Sequence, residues 1–186
     1  MRLFIALDIP DDTRTRLAEL VERIRVLAPD ARWTGPGSLH VTLKFIGEVK
    51  EERLDAIKQT LRAVKARPFE LKFEGIGYFP PNKSPRVFWA GVHATSDLPE
   101  LAAVIDGTLG ELGIKREEKP YHPHLTLARA GSGPGASRAF RRLQEQLATE
   151  GPPHFGTMTA REFYLYLSRL SRGGAQYAKL ERFSLA

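Results

Sequence analysis

Residues 38–47 read SLHVTLKFIG and residues 120–129 read PYHPHLTLAR. Each holds His-x-Thr followed by leucine: His40, Thr42 and Leu43 in the first, His124, Thr126 and Leu127 in the second. Both alternate polar and apolar residues, the pattern of a strand with one face in a core. The histidines stand 124 − 40 = 84 residues apart, and sliding the chain by that offset aligns much more than the motifs. Arg2, Phe4 and Ala6 fall on Arg86, Phe88 and Ala90; Leu17 and Ala18 fall on Leu101 and Ala102; Pro36 falls on Pro120. Leu3 with Val87, Val21 with Ile105 and Val41 with Leu125 add similar pairs, and no gap is needed. Such self-similarity reads as an internal duplication.

Each copy opens with strand, helix, strand. RLFIALDI (2–9) is apolar and β-prone, and residues 10–27 bring acids first, then Leu17, Leu20, Val21, Ile24 and Leu27 at helical spacing. In the second copy RVFWAGV (86–92) is the strand and residues 95–113 the helix, with Leu101, Val104, Ile105, Leu109 and Leu112 on its buried stripe and Gly113 as a stop. Residues 51–67 and 136–150 read as exposed helices. FELKFEGIGYF (69–79), REFYLYLSRL (161–170) and AQYAKLERFSL (175–185) read as strands. PPNKSP (80–85) connects the halves and contains Asn82, the only asparagine, a bias that fits a heat-adapted source; GSGPG (131–135) is a loop after the second motif. The expected fold class is α+β, one domain over 1–186. Two pseudo-symmetric lobes, each a mainly antiparallel sheet with helices on the outer side, flank a central cleft.

Composition narrows the function. Hydrophobic residues make up 42% and charged residues 27% of 186, as in soluble globular chains. No apolar run approaches a membrane span, and the N-terminus is a poor signal peptide, so a cytoplasmic protein without a membrane partner is expected. The absence of cysteine excludes disulfides, thiolate zinc sites and cysteine nucleophiles. A net charge of +6 is compatible with a polyanion such as RNA.

Side chains at i and i+2 of a strand share a face, so His40 and Thr42 point one way and Leu39, Val41 and Leu43 the other. The same split separates His124 and Thr126 from Leu125 and Leu127. If a pseudo-dyad relates the lobes, both polar faces line one cleft. Two imidazoles on opposite sides of a phosphorus suit in-line displacement, one as base and one as acid, and histidine titrates near neutrality. The threonine hydroxyls can donate to non-bridging oxygens. Lys44 shares the parity of His40 and is expected on the cleft. Arg129 has the wrong parity, and a bend or bulge before the GSGPG loop would return it to a bound phosphate. Two blander readings compete: a structural histidine preserved by duplication, and a zinc site using His122 and His124, for which no acidic ligand joins the pattern. His93 and His154 fall in loop-like, solvated settings.

With both motifs placed, the chain resembles the 2H phosphoesterase superfamily, specifically the RNA 2′,3′-cyclic phosphodiesterases also called 2′-5′ RNA ligases. The resemblance rests on RLFIAL (2–7), RWTGPGSLHVTLKFIGEV (32–49), PYHPHLTLAR (120–129) and LYLSRLSRGGAQYAKLERFSL (165–185), the last with Ser168, Gly174 and Tyr177. It implies cofactor-free, metal-free hydrolysis of 2′,3′-cyclic phosphate at RNA or nucleotide ends, leaving a 2′-phosphate; tRNA fragments, small cyclic nucleotides and 2′-5′-linked oligonucleotides all fit that chemistry, and nothing in the sequence demands more than a monomer. Catalysis would fall to His40, Thr42, His124 and Thr126, with Arg129 on the phosphate. By analogy His40 is the acid and His124 the base. Ligation, the reverse reaction, ranks second, and a non-catalytic RNA-end binding module is the rival from another class. Base-stacking candidates are Phe4 and Tyr121, with Tyr78 and Phe79 in a loop. Arg138, Arg141 and Arg142 are either a surface for the RNA body or a solvated helix face.

Overall fold

The computed structural model describes residues 1–81 and 83–186, so Asn82 in the expected 80–85 connector lies outside the described residues. The elements run β1 (Arg2–Leu7), α1 (Asp11–Ile24), β2 (Arg32–Trp33), β3 (Val41–Glu48), α2 (Leu54–Arg62), β4 (Phe69–Phe79) and β5 (Val87–Ala94). They continue with α3 (Asp97–Glu111), β6 (His124–Arg129), α4 (Arg141–Leu147), β7 (His154–Ala160), β8 (Glu162–Ser171) and β9 (Gly174–Ser184). Asp11 and Asp12 favour the start of α1 and Arg23 its end, as the helix dipole prefers. Leu17, Leu20, Val21 and Ile24 form its buried stripe.

In α3 the buried set is Leu98, Leu101, Ala102, Ile105 and Leu109, whereas Val104 is 43% exposed. Val104 sits one residue, about 100°, off the line through Leu101 and Ile105, which corrects the expected stripe. Gly113 takes φ +76°, the left-handed conformation that closes the helix. The helix expected over 51–67 ends at Arg62; Val64 turns inward and the Ala66 carbonyl accepts the Ala186 N–H. The one expected over 136–150 is only Arg141–Leu147, preceded by a 3-10 turn, with Phe140, Leu143 and Leu147 buried.

All strand pairing is antiparallel, in two sheets ordered β3-β1-β8-β9 and β2-β6-β5-β4-β7. With β1 matched to β5 and β3 to β6, as the 84-residue offset requires, the first sheet reads like the β6-β5-β4-β7 part of the second. Each sheet mixes both halves of the chain: β8 returns to pair with β1 and carries β9 on its far edge, while β2 and β4 join β5, β6 and β7. The helices cross as well: α1 packs beside β7 and α3 beside β3. One continuous apolar core results, from Leu3 and Leu17 through Phe73 and Phe88 to Phe183.

Both motif strands carry an extra residue. On β3 the pairing with β1 steps from Ala6–Thr42 to Ile5–Lys44, leaving Leu43 unmatched. On β6 the pairing with β5 steps from Trp89–Thr126 to Phe88–Ala128, leaving Leu127 unmatched. Leu43 and Leu127 are themselves one offset apart. A bulge of one residue resets which face the following side chains take, so directly after it the alternation read from sequence is inverted in both lobes; on β3 a second unmatched residue, Ile46, follows Phe45.

Candidate active site

Between the sheets lies a cavity of about 400 Å³. His40 and Thr42 line it from one sheet and His124, Thr126 and Arg129 from the other, with Ser168 and Tyr177 also in the wall. Val41 and Leu125, between each His and Thr, are fully buried on the opposite faces. The expected His-x-Thr faces therefore meet in one hollow.

Each imidazole is held by the main chain two residues upstream. His124 Nδ1 donates to the His122 carbonyl at 2.7 Å, which leaves Nε2 as the free ring nitrogen. The Ser38 main chain is hydrogen-bonded to His40 in the corresponding way. Aromatic rings back both. His40 packs on Phe4 (centroids 4.7 Å apart), Tyr177 (5.2 Å) and Tyr166 (5.9 Å); His124 lies edge-on to Phe79 at 5.1 Å, with Trp89 behind at 6.3 Å. Arg14 steadies the turn before His40 by donating to the Pro36 and Leu39 carbonyls, while Asp8 accepts from its other nitrogen at 2.7 Å. Burial pushes the His40 imidazole down to about 4, the Ser38 bond acting against that and the Arg14 charge with it. His124 is also lowered, by burial first, with the His122 hydrogen bond opposing and the nearby His122 and Arg129 adding to the fall. Lowered in this way, both rings are neutral near pH 7.

Several sequence expectations change. Arg129 does line the cavity, because the bulge at Leu127 returns it to the face of Thr126. The equivalent bulge at Leu43 has the opposite consequence for Lys44, which turns into the protein. Its side chain is 2% exposed, and its ammonium donates to Asp106 Oδ1 at 2.5 Å and the Lys115 carbonyl at 2.9 Å. Lys44 is thus a strut between β3 and α3 and not a cleft cation; Phe45 takes the cleft position instead, 61% exposed. Phe45 is the register partner of Arg129, so the two walls differ at one matched site.

The stacking candidates change too. Tyr121 does not line the cavity; its hydroxyl donates to the Thr42 carbonyl at 2.9 Å, tying the approach of the second motif to the first motif strand. Phe4 reaches the wall but is only 3% exposed, its ring covered by His40, Tyr166 and Tyr177, so it supports an imidazole and has no open face for a base. Tyr78 and Phe79 belong to β4 and not to a loop. The open aromatic surface belongs to Phe45 and to Tyr177, 37% exposed. His93 and His154 are strand residues that share a companion: His93 bonds the Glu74 carbonyl at 3.0 Å and His154 lies 3.2 Å from the Glu74 carboxylate. Arg141 pairs with Glu145 on the exposed face of α4, and none of Arg138, Arg141 and Arg142 lines the cavity. No group of three or more His, Cys, Asp or Glu side chains able to hold a metal occurs among the described residues. Arg2, Phe45, Thr34 and Leu170 are lining residues that motif reasoning missed; for Arg2, its parity with Phe4 was a usable signal.

Known proteins share both the sequence and this architecture. The family described as LigT like phosphoesterase matches residues 7–89 and 92–177. An RNA 2′,3′-cyclic phosphodiesterase of Archaeoglobus fulgidus is 35% identical over 184 residues, 98% of this chain and 99% of that one. One from Thermotoga maritima is 33% identical over 97% of this chain and 93% of its own. Among solved structures, E. coli LigT complexed with 3′-AMP superposes with a TM-score of 0.80 at 27% identity, covering 99% of this chain and 97% of that one. A Thermus thermophilus protein gives 0.80 at 31% identity, covering 100% and 98%. No helix among the described residues is long and apolar enough to cross a membrane.

Proposed function

This chain belongs to the LigT-like phosphoesterases, and from that premise we propose that it hydrolyses the 2′,3′-cyclic phosphate of RNA or nucleotide ends to a 2′-phosphate, as a cytoplasmic monomer. The observation that carries the reading is the convergence of both His-x-Thr pairs and Arg129 on one cavity. The names of the relatives supply the substrate class.

In the reaction, water attacks phosphorus and loses a proton to His124 Nε2. The P–O3′ bond breaks, and the departing oxygen takes a proton from His40. His124 suits the base because its Nδ1–H is committed to the His122 carbonyl and its Nε2 lone pair is free. His40, whose proton affinity burial lowers, regains it when the anionic phosphodiester arrives beside it. Thr42 and Thr126 donate to the non-bridging oxygens, and Arg129 neutralises charge on them. These groups supply acid, base and countercharge from side chains alone, so turnover needs no metal.

The test is incubation of the purified protein with a 2′,3′-cyclic nucleotide and EDTA. Steady release of the 2′-monophosphate is expected. Tight binding without product would support the binding-module alternative, and a 3′-monophosphate product would overturn the stated bond cleavage. An ester whose leaving group needs no proton separates the histidines: His40→Ala retains most activity on it, whereas His124→Ala does not.

A further inference from the structure

Arg32 and Arg129 stand directly opposite each other on the β2–β6 pair. Opposed residues of an antiparallel pair share a face, with side chains that start about 5 Å apart. The adjoining pair fixes which face this is. Trp33 and Ala128 turn inward, Trp33 with its ring edge on Phe88 and Ala128 fully buried. Arg32 therefore lies on the side of Thr34, which lines the cavity, as Arg129 itself does. Both arginines are exposed.

Like charges placed so repel and destabilise a sheet. Six other arginines, Arg14, Arg23, Arg25, Arg62, Arg141 and Arg182, each have a carboxylate within 4.0 Å that offsets their charge. Among the described residues, Arg32 and Arg129 do not. A bound anion between or beside them turns the repulsion into a site, and Arg129 already lines the cavity that holds both imidazoles. Arg32 stands one strand farther from them.

We infer that Arg32 holds a second phosphate, the phosphodiester immediately 5′ of the terminal cyclic nucleotide, so that the protein favours oligonucleotide ends over free cyclic nucleotides. The inference rests on the reading that the cleft takes a nucleotide 2′,3′-phosphate. A planar guanidinium is well matched to phosphate oxygens, and a contact to the backbone reads no base. The preference is therefore for chain length and not for sequence.

The test compares the binding of two uncleavable products by calorimetry: a nucleoside 2′-monophosphate and a dinucleotide ending in 2′-phosphate. For the natural protein the dinucleotide binds about tenfold tighter or better, and the advantage shrinks as salt rises. Arg32→Gln removes that advantage, and Arg32→Lys keeps most of it. An affinity ratio that is unchanged in Arg32→Gln, or equal weakening of both ligands, overturns the proposal. The unfolding midpoint of Arg32→Gln stays level or rises, because a repulsion is relieved; a fall of several degrees would mark Arg32 as structural and overturn it too. Turnover of a cyclic mononucleotide by the natural protein checks the hydrolytic reading separately. Absence of turnover on a dinucleotide 2′,3′-cyclic phosphate as well, alongside an intact dinucleotide preference in binding, sinks the hydrolysis and leaves the second phosphate site standing.

Discussion

At the scale of single residues, His40 shows how a packed environment shapes acid–base behaviour. Its imidazole is buried among Phe4, Tyr166 and Tyr177, and its proton affinity falls from 6.5 to about 4. In the unfolded chain the ring titrates near 6.5, so between about 4 and 6.5 the unfolded state binds more protons and stability falls as pH drops through that window. The coupling is on the order of 3 kcal/mol at most. Urea midpoints of His40→Phe should accordingly decline less from pH 6.5 to 4.5 than those of the natural protein; equal slopes would contradict the lowered proton affinity. Catalysis follows the same logic. Both imidazoles are lowered in the free protein, so kcat/KM for a cyclic nucleotide should be greater at pH 5.5 than at pH 8, and a value still climbing above pH 7.5 would count against the proposed acid. His40→Ala and His124→Ala should each reduce kcat by about 10²- to 10⁴-fold, with smaller losses for Thr42→Val and Thr126→Val. The His-x-Thr pairs are legible in the sequence because their four polar residues precede the bulges, where strict alternation still holds. Lys44 is misread because it follows one.

Among the elements, β3 and β6 decide the site. Their strand character, and that of β4, can be read from alternation and β-branched or aromatic content; the bulges at Leu43 and Leu127 cannot, because either leucine fits a regular strand equally well. The loop that follows Arg129 signals a kink able to redirect it, and no such cue stands beside Lys44. Three hydrogen bonds among the described residues tie β3 to the other half of the chain: Tyr121 to the Thr42 carbonyl, and Lys44 to both Asp106 on α3 and the Lys115 carbonyl. Burial alone would raise the Asp106 carboxyl, but hydrogen bonds from Lys44 and the Glu117 N–H outweigh it and leave the group lowered. Tyr121→Phe should cost about 1 kcal/mol of stability and lower kcat more than it alters KM, since the ring remains and only the tie to the motif strand is lost. Lys44→Met should destabilise by about 1–3 kcal/mol without weakening nucleotide binding; a large rise in KM would restore Lys44 to the cleft.

Across the whole molecule, the two sheets cannot be separated along the sequence. β8 and β9 complete the sheet begun by β1 and β3, and residues of both halves share one core. Denaturant should unfold the chain in a single transition seen alike by circular dichroism and by loss of activity, and a chain ending at residue 160 should fail to fold because Leu3, Ile5 and Leu7 lose the cover that β8 helps provide. The duplication is legible from the gapless offset. This interleaving is not, since offset alone does not say which copy supplies each strand of a sheet. The mismatch of Phe45 with Arg129 bears on regiochemistry. A five-membered cyclic diester offers two nearly alike ring oxygens, and a receptor of true twofold symmetry would accept it in either sense and release mixed isomers. Arg129 opposite the Phe45 ring makes the two orientations unequal, so for the proposed cyclic diester one substitution in a mirrored scaffold would favour the opening of one ester over the other.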